Sequence, residues 1–167
     1  MQNNIAHKPR NGWDIYASEE EKKKIHELAD KYIDFLTNCK TERETVNWVR
    51  ARLEEAGFAK DVAAPCFFDT AKDKTIIMAR KGKRPLKEGV RIVGAHADTP
   101  RLDFKQHPLY ETCDLALAKT HYYGGIRKYQ WLSRPLALHG VVVKADGAVV
   151  EVSIGEAPSD PILVITD

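Results

Sequence analysis

Residues 90–103 read VRIVGAHADTPRLD, an apolar run followed by a histidine and an aspartate two positions apart. The run at 90–95 predicts a buried strand that ends before Pro100. Side chains two positions apart on a strand share a face, so Asp98 is expected to reach one ring nitrogen of His96. The other nitrogen would then be available to a metal ion. The same spacing occurs where such residues only cap or hydrogen-bond a strand end, so other residues must decide between the two interpretations.

The residues downstream carry a more specific pattern. Its segments are Thr99–Asp103, Pro108–Glu111, Lys119–Gly125, Lys128–Trp131 and Pro135–Gly140. Together with His96 and Asp98, they resemble the aspartyl-aminopeptidase-like dinuclear zinc metalloaminopeptidases, family eighteen of the metallopeptidases, and in particular the bacterial members. The resemblance extends from about the first helix to the last residue.

The resemblance implies a zinc-dependent aminopeptidase with two zinc ions per site. Such an enzyme removes the amino-terminal residue, in several relatives an acidic one, from a peptide substrate. His96 matches the first zinc-binding histidine, and Asp98 matches the catalytic-site aspartate that orients it. In the family, a water acidified by the two zinc ions gives its proton to a glutamate and attacks the peptide carbonyl. The resemblance also implies a homo-oligomer, a dodecamer built from dimers.

The other ligands of the family's site lie farther downstream than Asp167. The adjacent glutamates in this chain, at 19–21 and 54–55, precede His96 and fall on predicted helices, and the later acidic residues are unpaired. A catalytic zinc ion usually has about three protein ligands, and a two-metal site needs more. We therefore expect the isolated chain to be an inactive fragment.

Two other functions remain open at this point. One is a catalytically dead assembly or regulatory subunit that docks on full-length partners. The other is weak nucleic-acid binding through the basic cluster Arg80 to Lys87. The net charge is only +2 and no aromatic platform accompanies that cluster, which favours a solvated loop. We accordingly predict no nucleic-acid partner.

Local signals predict an α/β fold. Ser18 with Glu21 and Thr41 with Glu44 are capping boxes, which predict helices over 19–38 and from 42 to the stop signal at Gly57. The two helices are expected to cover a small sheet, with the second helix packed on it. Asp146-Gly147 predicts a hairpin. The predicted strands are 63–68, 75–79, 90–95, 115–119, 136–144, 148–154 and 162–165.

The resemblance divides the chain into two parts. Residues 1–103 correspond to the amino-terminal part of a zinc-exopeptidase sheet with its helices. Residues 104–167 correspond to the incomplete first part of a β-rich inserted domain that serves dimerisation and covers the active site. Within this region, His121–Tyr123 before Gly124 form either a binding cluster of aromatic and imidazole groups or a packed turn with buried tyrosine rings, and the packed turn is favoured. His139 is predicted to be a core or subunit-contact residue, and Arg101 to pair with Asp103.

The remaining signals concern location. Cys39, Cys66 and Cys113 are odd in number and widely spaced, which argues against a disulfide framework or a thiolate zinc site. Residues 1–10 lack the apolar core of a signal peptide, and no run approaches the ~20 apolar residues of a membrane-spanning helix. We predict a cytoplasmic protein with no membrane partner.

Overall fold

The computed structural model of the chain describes residues 8–165. Residues 1–7, on which part of the signal-peptide prediction rests, lie outside the described residues, as do residues 166–167. The chain divides after Asn38 into two units. No helix within the described range is long and apolar enough to cross a bilayer.

The first unit contains helices α1 (Gly12–Ile15) and α2 (Glu19–Asn38). The predicted capping box of α2 is confirmed, since Ser18 Oγ accepts from the Glu21 amide at 3.2 Å and Glu21 Oε2 accepts from the Ser18 amide at 3.3 Å. None of the residues of α2 is buried. The predicted extent of α2 is confirmed. The expected packing of this helix on a sheet stays a prediction, since the structure gives it no buried residue.

The second unit begins with helix α3 (Glu42–Glu55), whose two ends are fixed by local sequence. Thr41 and Glu44 form the predicted capping box. At the other end, Gly57 has φ +78°, and the Phe58 amide donates to the Leu53 carbonyl at 2.9 Å. This is the Schellman arrangement, in which a left-handed residue lets the chain cover the last carbonyls of the helix. Both predicted ends of α3 are confirmed.

Three two-stranded antiparallel sheets follow among the described residues, which confirms the α/β class. Their strands are β1 (Cys66–Ala71) with β2 (Thr75–Arg80), β3 (Arg101–Thr112) with β4 (Leu115–Tyr123), and β5 (Leu138–Val143) with β6 (Val149–Ile154).

The buried core lies where α3 packs on β1 and β2. Val46 and Leu53 project from the helix, Phe68 from β1, and Cys39 precedes the helix. Burying an apolar side chain of this size contributes roughly 1.5–3 kcal/mol. The predicted packing of this helix on a sheet is therefore confirmed.

Two of the predicted strands do not form. Residues 90–95 have no regular secondary structure and no strand partner, and Ile92 and Val93 are 85% and 96% exposed. An apolar run becomes a buried strand only when a neighbouring strand satisfies its backbone, and no described segment pairs with it. Residues 162–165 make isolated bridges only, from Leu163 to Leu136 and from Ile165 to Leu132.

Strand β3 was not predicted, and its irregularity explains why. Between the pair Phe104–Thr120 and the pair Leu109–Ala118, the chain advances five positions on β3 but only two on β4. The extra residues form a bulge that contains His107, at φ +50°, and Pro108. Proline has no amide to donate, so it sits in strands only at edges and bulges.

The predicted hairpin at Asp146-Gly147 is confirmed. Strands β5 and β6 pair in continuous register from Leu138 with Ile154 to Val143 with Val149. Gly147 has φ +85°, which glycine adopts without a steric penalty. The Asp146 carboxylate also accepts from the Ala148 amide at 2.9 Å, which fixes the turn.

Candidate functional site

His96 and Asp98 lie in the irregular segment that leads into β3. Nδ1 of His96 is 3.2 Å from Oδ1 of Asp98, as the two-residue spacing predicts. The His96 side chain is 94% exposed. None of the described residues forms a hydrogen bond to its Nε2. A carboxylate on Nδ1 places the imidazole proton there and leaves the Nε2 lone pair free to coordinate.

Tyr123, at the end of β4, holds the other oxygen of the same carboxylate. Its hydroxyl donates to Asp98 Oδ2 at 2.8 Å. The sequence predicted buried tyrosine rings here, but Tyr122 is 62% and Tyr123 is 43% exposed, so that prediction is wrong. The predicted turn is present, with Gly124 at φ +69°. Sequence reasoning missed the role of Tyr123 because the contact depends on how β3 pairs with β4.

These contacts determine the ionisation of Asp98 and Tyr123. The hydrogen bond from Tyr123, followed by that from His96, holds the pKa of Asp98 below its ordinary value. The same bond and the negative charge of Asp98 raise the pKa of Tyr123. At neutral pH the carboxylate is therefore ionised and the phenol keeps its proton, which suits the roles of acceptor and donor.

Arg101 contacts the Tyr123 ring and links it to Asp103 and Glu42. Its Nε donates to Asp103 Oδ1 at 2.7 Å, as predicted, and its guanidinium lies 3.2 Å from Glu42 Oε2. Its Cζ lies 4.3 Å from the centre of the Tyr123 ring. Partial burial raises the pKa of Glu42, but hydrogen bonds from its own amide and from Lys74, with the charge of Arg101, lower it further. Glu42 is thus ionised and anchors Arg101 to the first turn of α3.

The donor set fits one ligand position of a metal site. His96 offers a free imidazole nitrogen backed by a carboxylate, which is the usual environment of a zinc-bound histidine. Across residues 8–165, no three or more His, Cys, Asp or Glu side chains are grouped so that they could hold a metal ion. The described residues therefore do not form a complete site.

The structure gives His139 a different role from His96. His139 lies on β5 with both ring nitrogens against carboxylates, Nδ1 at 2.7 Å from Glu44 and Nε2 at 2.8 Å from Glu156. Its side chain is only 13% exposed. His139 is partly buried and lies outside the core of Val46, Leu53 and Phe68, so its assignment as a core or subunit-contact residue stays a prediction. His121 lies on β4 and stacks on the ring of Tyr122.

The basic cluster Arg80–Lys87 is exposed: Arg80 ends β2, residues 81–85 form a loop, and Lys87 lies in the short 3-10 helix Leu86–Glu88. Several of its cations already have partners within the chain. Arg80 Nε lies 3.4 Å from Cys66 Sγ, Lys81 Nζ donates to the Ala63 carbonyl at 2.7 Å, and Arg84 lies 3.9 Å from Glu88. The loop conformation agrees with the solvated segment that the sequence favoured.

Known proteins are similar to this chain over most of its length. A family model described as aminopeptidase I zinc metalloprotease (M18) matches residues 35–167. A probable M18 family aminopeptidase 1 of Clostridium acetobutylicum is 43% identical over 177 aligned positions, which cover 100% of this chain and 38% of that protein.

Solved structures agree with this similarity. Aminopeptidase I from Borrelia burgdorferi B31 superimposes with a TM-score of 0.85 at 40% identity, covering 95% of this chain and 40% of its own. An M18 family aminopeptidase from Thermotoga maritima gives a TM-score of 0.85 at 40% identity, covering 97% and 36%. The chain thus spans less than half the length of the relatives it matches.

Proposed function

The chain belongs to the M18 family of aminopeptidase I zinc metalloproteases, and we propose that it is part of a zinc-dependent aminopeptidase in which His96 is a metal ligand and Asp98 orients it. The observation that carries the proposal is the contact between His96 Nδ1 and Asp98 at 3.2 Å, within a chain of this family. The contact leaves Nε2 as the coordinating atom.

The proposed roles follow from the chemistry of the two side chains. Asp98, ionised at neutral pH, keeps the imidazole proton on Nδ1 and fixes the plane of the ring. His96 then presents a neutral nitrogen with increased basicity, the form that coordinates a metal ion. Zinc, when bound, supplies Lewis-acid activation of water for peptide hydrolysis.

The number of ligands limits what this chain does by itself. A catalytic zinc ion usually has about three protein ligands, and residues 8–165 contain no group of three candidate ligands. We propose that the remaining ligands and the general base lie elsewhere in the protein, in a site for two zinc ions. The 167-residue chain alone is then inactive.

The rest of the proposal concerns organisation and substrate. Residues 1–103 would form the first part of the peptidase domain, and residues 104–167 the start of an inserted dimerisation domain, with β3 running across the boundary. The substrate would be a peptide with a free amino terminus and an acidic first residue, and copies would assemble through the insert. Among residues 8–165, Cys39, Cys66 and Cys113 form no disulfide, which suits a reducing cytoplasm.

The decisive experiment uses protein purified from the complete open reading frame. Zinc content is measured by mass spectrometry, and release of the first residue is followed on peptides that differ only in that residue or in acetylation of the amino terminus. We expect bound zinc, release from free but not acetylated peptides, and faster release of Asp or Glu than of Leu. Light scattering of the same sample tests for the dimer-based oligomer.

The site assignment is tested in the same protein with two histidine variants. His96→Ala should lose zinc and reduce the rate at least 100-fold, on the order expected for removal of a metal ligand. His26→Ala, an exposed position on α2, should leave both unchanged. Unaltered zinc content and rate in His96→Ala would remove His96 from the site.

A further inference from the structure

We propose that Tyr123 is a positioning residue for the His96 ring, that it acts through Asp98, and that Arg101 holds Tyr123 in place. The inference rests on the proposed function, because it assigns a role toward the metal that His96 would bind. It adds a residue from the proposed insert to a site in the proposed peptidase part.

Tyr123 and His96 bind different oxygens of one carboxylate. The Tyr123 hydroxyl lies 2.8 Å from Asp98 Oδ2, and His96 Nδ1 lies 3.2 Å from Asp98 Oδ1. A carboxylate with a single partner turns readily about its last side-chain torsion, which has only broad minima. With both oxygens engaged, the plane of Asp98 is fixed, and the direction of the His96 ring is fixed with it.

The sheet delivers Tyr123 to this position. Tyr123 on β4 pairs with Arg101 on β3, and Arg101 lies three residues after Asp98. Gly124 follows at φ +69°, and a β-carbon added there would lie 3.6 Å from Pro100, so the end of β4 lies close to the segment that carries Asp98. The hydroxyl therefore reaches Asp98 because of strand register.

Arg101 fixes the ring itself. Its guanidinium lies 4.3 Å from the centre of the Tyr123 ring, a distance typical of a cation–π contact. Asp103 and Glu42 hold that guanidinium at 2.7 and 3.2 Å. An aromatic ring held on one face by an anchored cation keeps its hydroxyl in one direction. The positioning chain thus runs from α3 through Arg101 and Tyr123 to Asp98.

The neighbouring Tyr122 provides a matched comparison. It lies on the same strand and pairs with Leu102, but none of the described residues forms a hydrogen bond to its hydroxyl. Replacing either tyrosine by phenylalanine keeps the ring and the backbone pairing and removes one oxygen. A difference between the two variants therefore reports the contact with Asp98.

The experiment measures the zinc dissociation constant of the full-length protein by competition with a chromogenic chelator. Tyr123→Phe should bind zinc on the order of fivefold more weakly, the effect of one net hydrogen bond, while Tyr122→Phe binds as the unmodified protein does. Asp98→Ala should weaken binding by about 10- to 100-fold. In the Asp98→Ala background, adding Tyr123→Phe should cause no further loss, because the residue through which it acts is gone.

Two results would overturn the inference while leaving the proposed function intact. One is unchanged zinc affinity in Tyr123→Phe when His96→Ala has lost zinc. The other is an equal loss with and without Asp98, which would identify a general structural effect. Full zinc binding by His96→Ala would instead overturn the proposed function, and this inference with it.

Discussion

His139 Nδ1 lies 2.7 Å from Oε1 of Glu44, although 95 residues separate them along the chain. Glu156 approaches the opposite nitrogen of the same ring at 2.8 Å. The other oxygen of Glu44 accepts from the Thr41 amide at 2.8 Å, so one carboxylate caps α3 and binds β5. This contact joins the two parts into which the family resemblance divides the chain.

The first prediction is that Glu44→Gln makes stability depend less on pH. Partial burial raises the pKa of Glu44, but the hydrogen bond and charge of His139 and the bonds to Thr41 lower it further. A carboxyl with a lowered folded-state pKa stabilises the protein above its unfolded-state pKa, and this stabilisation is lost as pH falls through the folded-state value. Glutamine keeps the capping geometry and removes only the negative charge. The free energy of unfolding of the variant should therefore be about 1 kcal/mol lower at neutral pH.

Urea unfolding of the protein and of Glu44→Gln between pH 7 and 3 measures this difference. The two unfolding free energies should converge as Glu44 becomes protonated. Glu54→Gln, an exposed position on the same helix, is the control and should change little at any pH. A difference that stays constant down to pH 3 would show that the charge of Glu44 contributes nothing.

The second prediction concerns two threonines with opposite effects. Thr41 Oγ1 accepts from the Glu44 amide at the start of α3, so Thr41→Ala should destabilise the protein by about 1 kcal/mol. Thr37 Oγ1 donates to the Ile33 carbonyl within α2, where alanine is the better helix former. Thr37→Ala should therefore be neutral or slightly stabilising. Thermal melts of both variants measure this, and equal losses would contradict the assigned cap.

Local signals explain which parts of the fold were predictable. A capping box depends on residues three apart, so both long helices start where the sequence places them. The hairpin at Gly147 likewise depends on two adjacent residues. Strand β3 escaped prediction because Pro108 interrupts it, and segment 90–95 was assigned as a strand because hydrophobicity does not reveal whether a partner strand is available.

In the candidate site, too, one contact was predictable from local sequence and another was not. The contact between His96 and Asp98 follows from their spacing, and it persists although the segment is not a strand. The contact between Tyr123 and Asp98 spans 25 residues. It requires the pairing of Arg101 with Tyr123, which lies beyond a bulge whose length the sequence does not specify. The position of this second partner was therefore not predictable from local pattern.

The third prediction tests the core between α3 and the first sheet. Val46 is fully buried, so Val46→Ala leaves a cavity and should cost about 2 kcal/mol of unfolding free energy. Val62, which is 69% exposed, provides the matched substitution, and Val62→Ala should change stability by less than about 0.5 kcal/mol. Urea unfolding compares the two. Similar losses in both variants would mean that the packing of α3 on β1 and β2 is wrong.

The fourth prediction follows from the unpaired apolar segment before His96. Val93 is almost fully exposed and adjoins the exposed Ile92 in a stretch without strand pairing. Exposed apolar side chains on a segment with unpaired backbone groups promote association between chains. In the 167-residue chain, Val93→Lys should raise the concentration at which aggregation begins, as followed by light scattering. The free energy of unfolding should change by less than about 0.5 kcal/mol, since no packed contact is lost. A large loss of stability would instead show that Val93 is buried in the folded chain, and that residues 90–95 form the strand their sequence predicts.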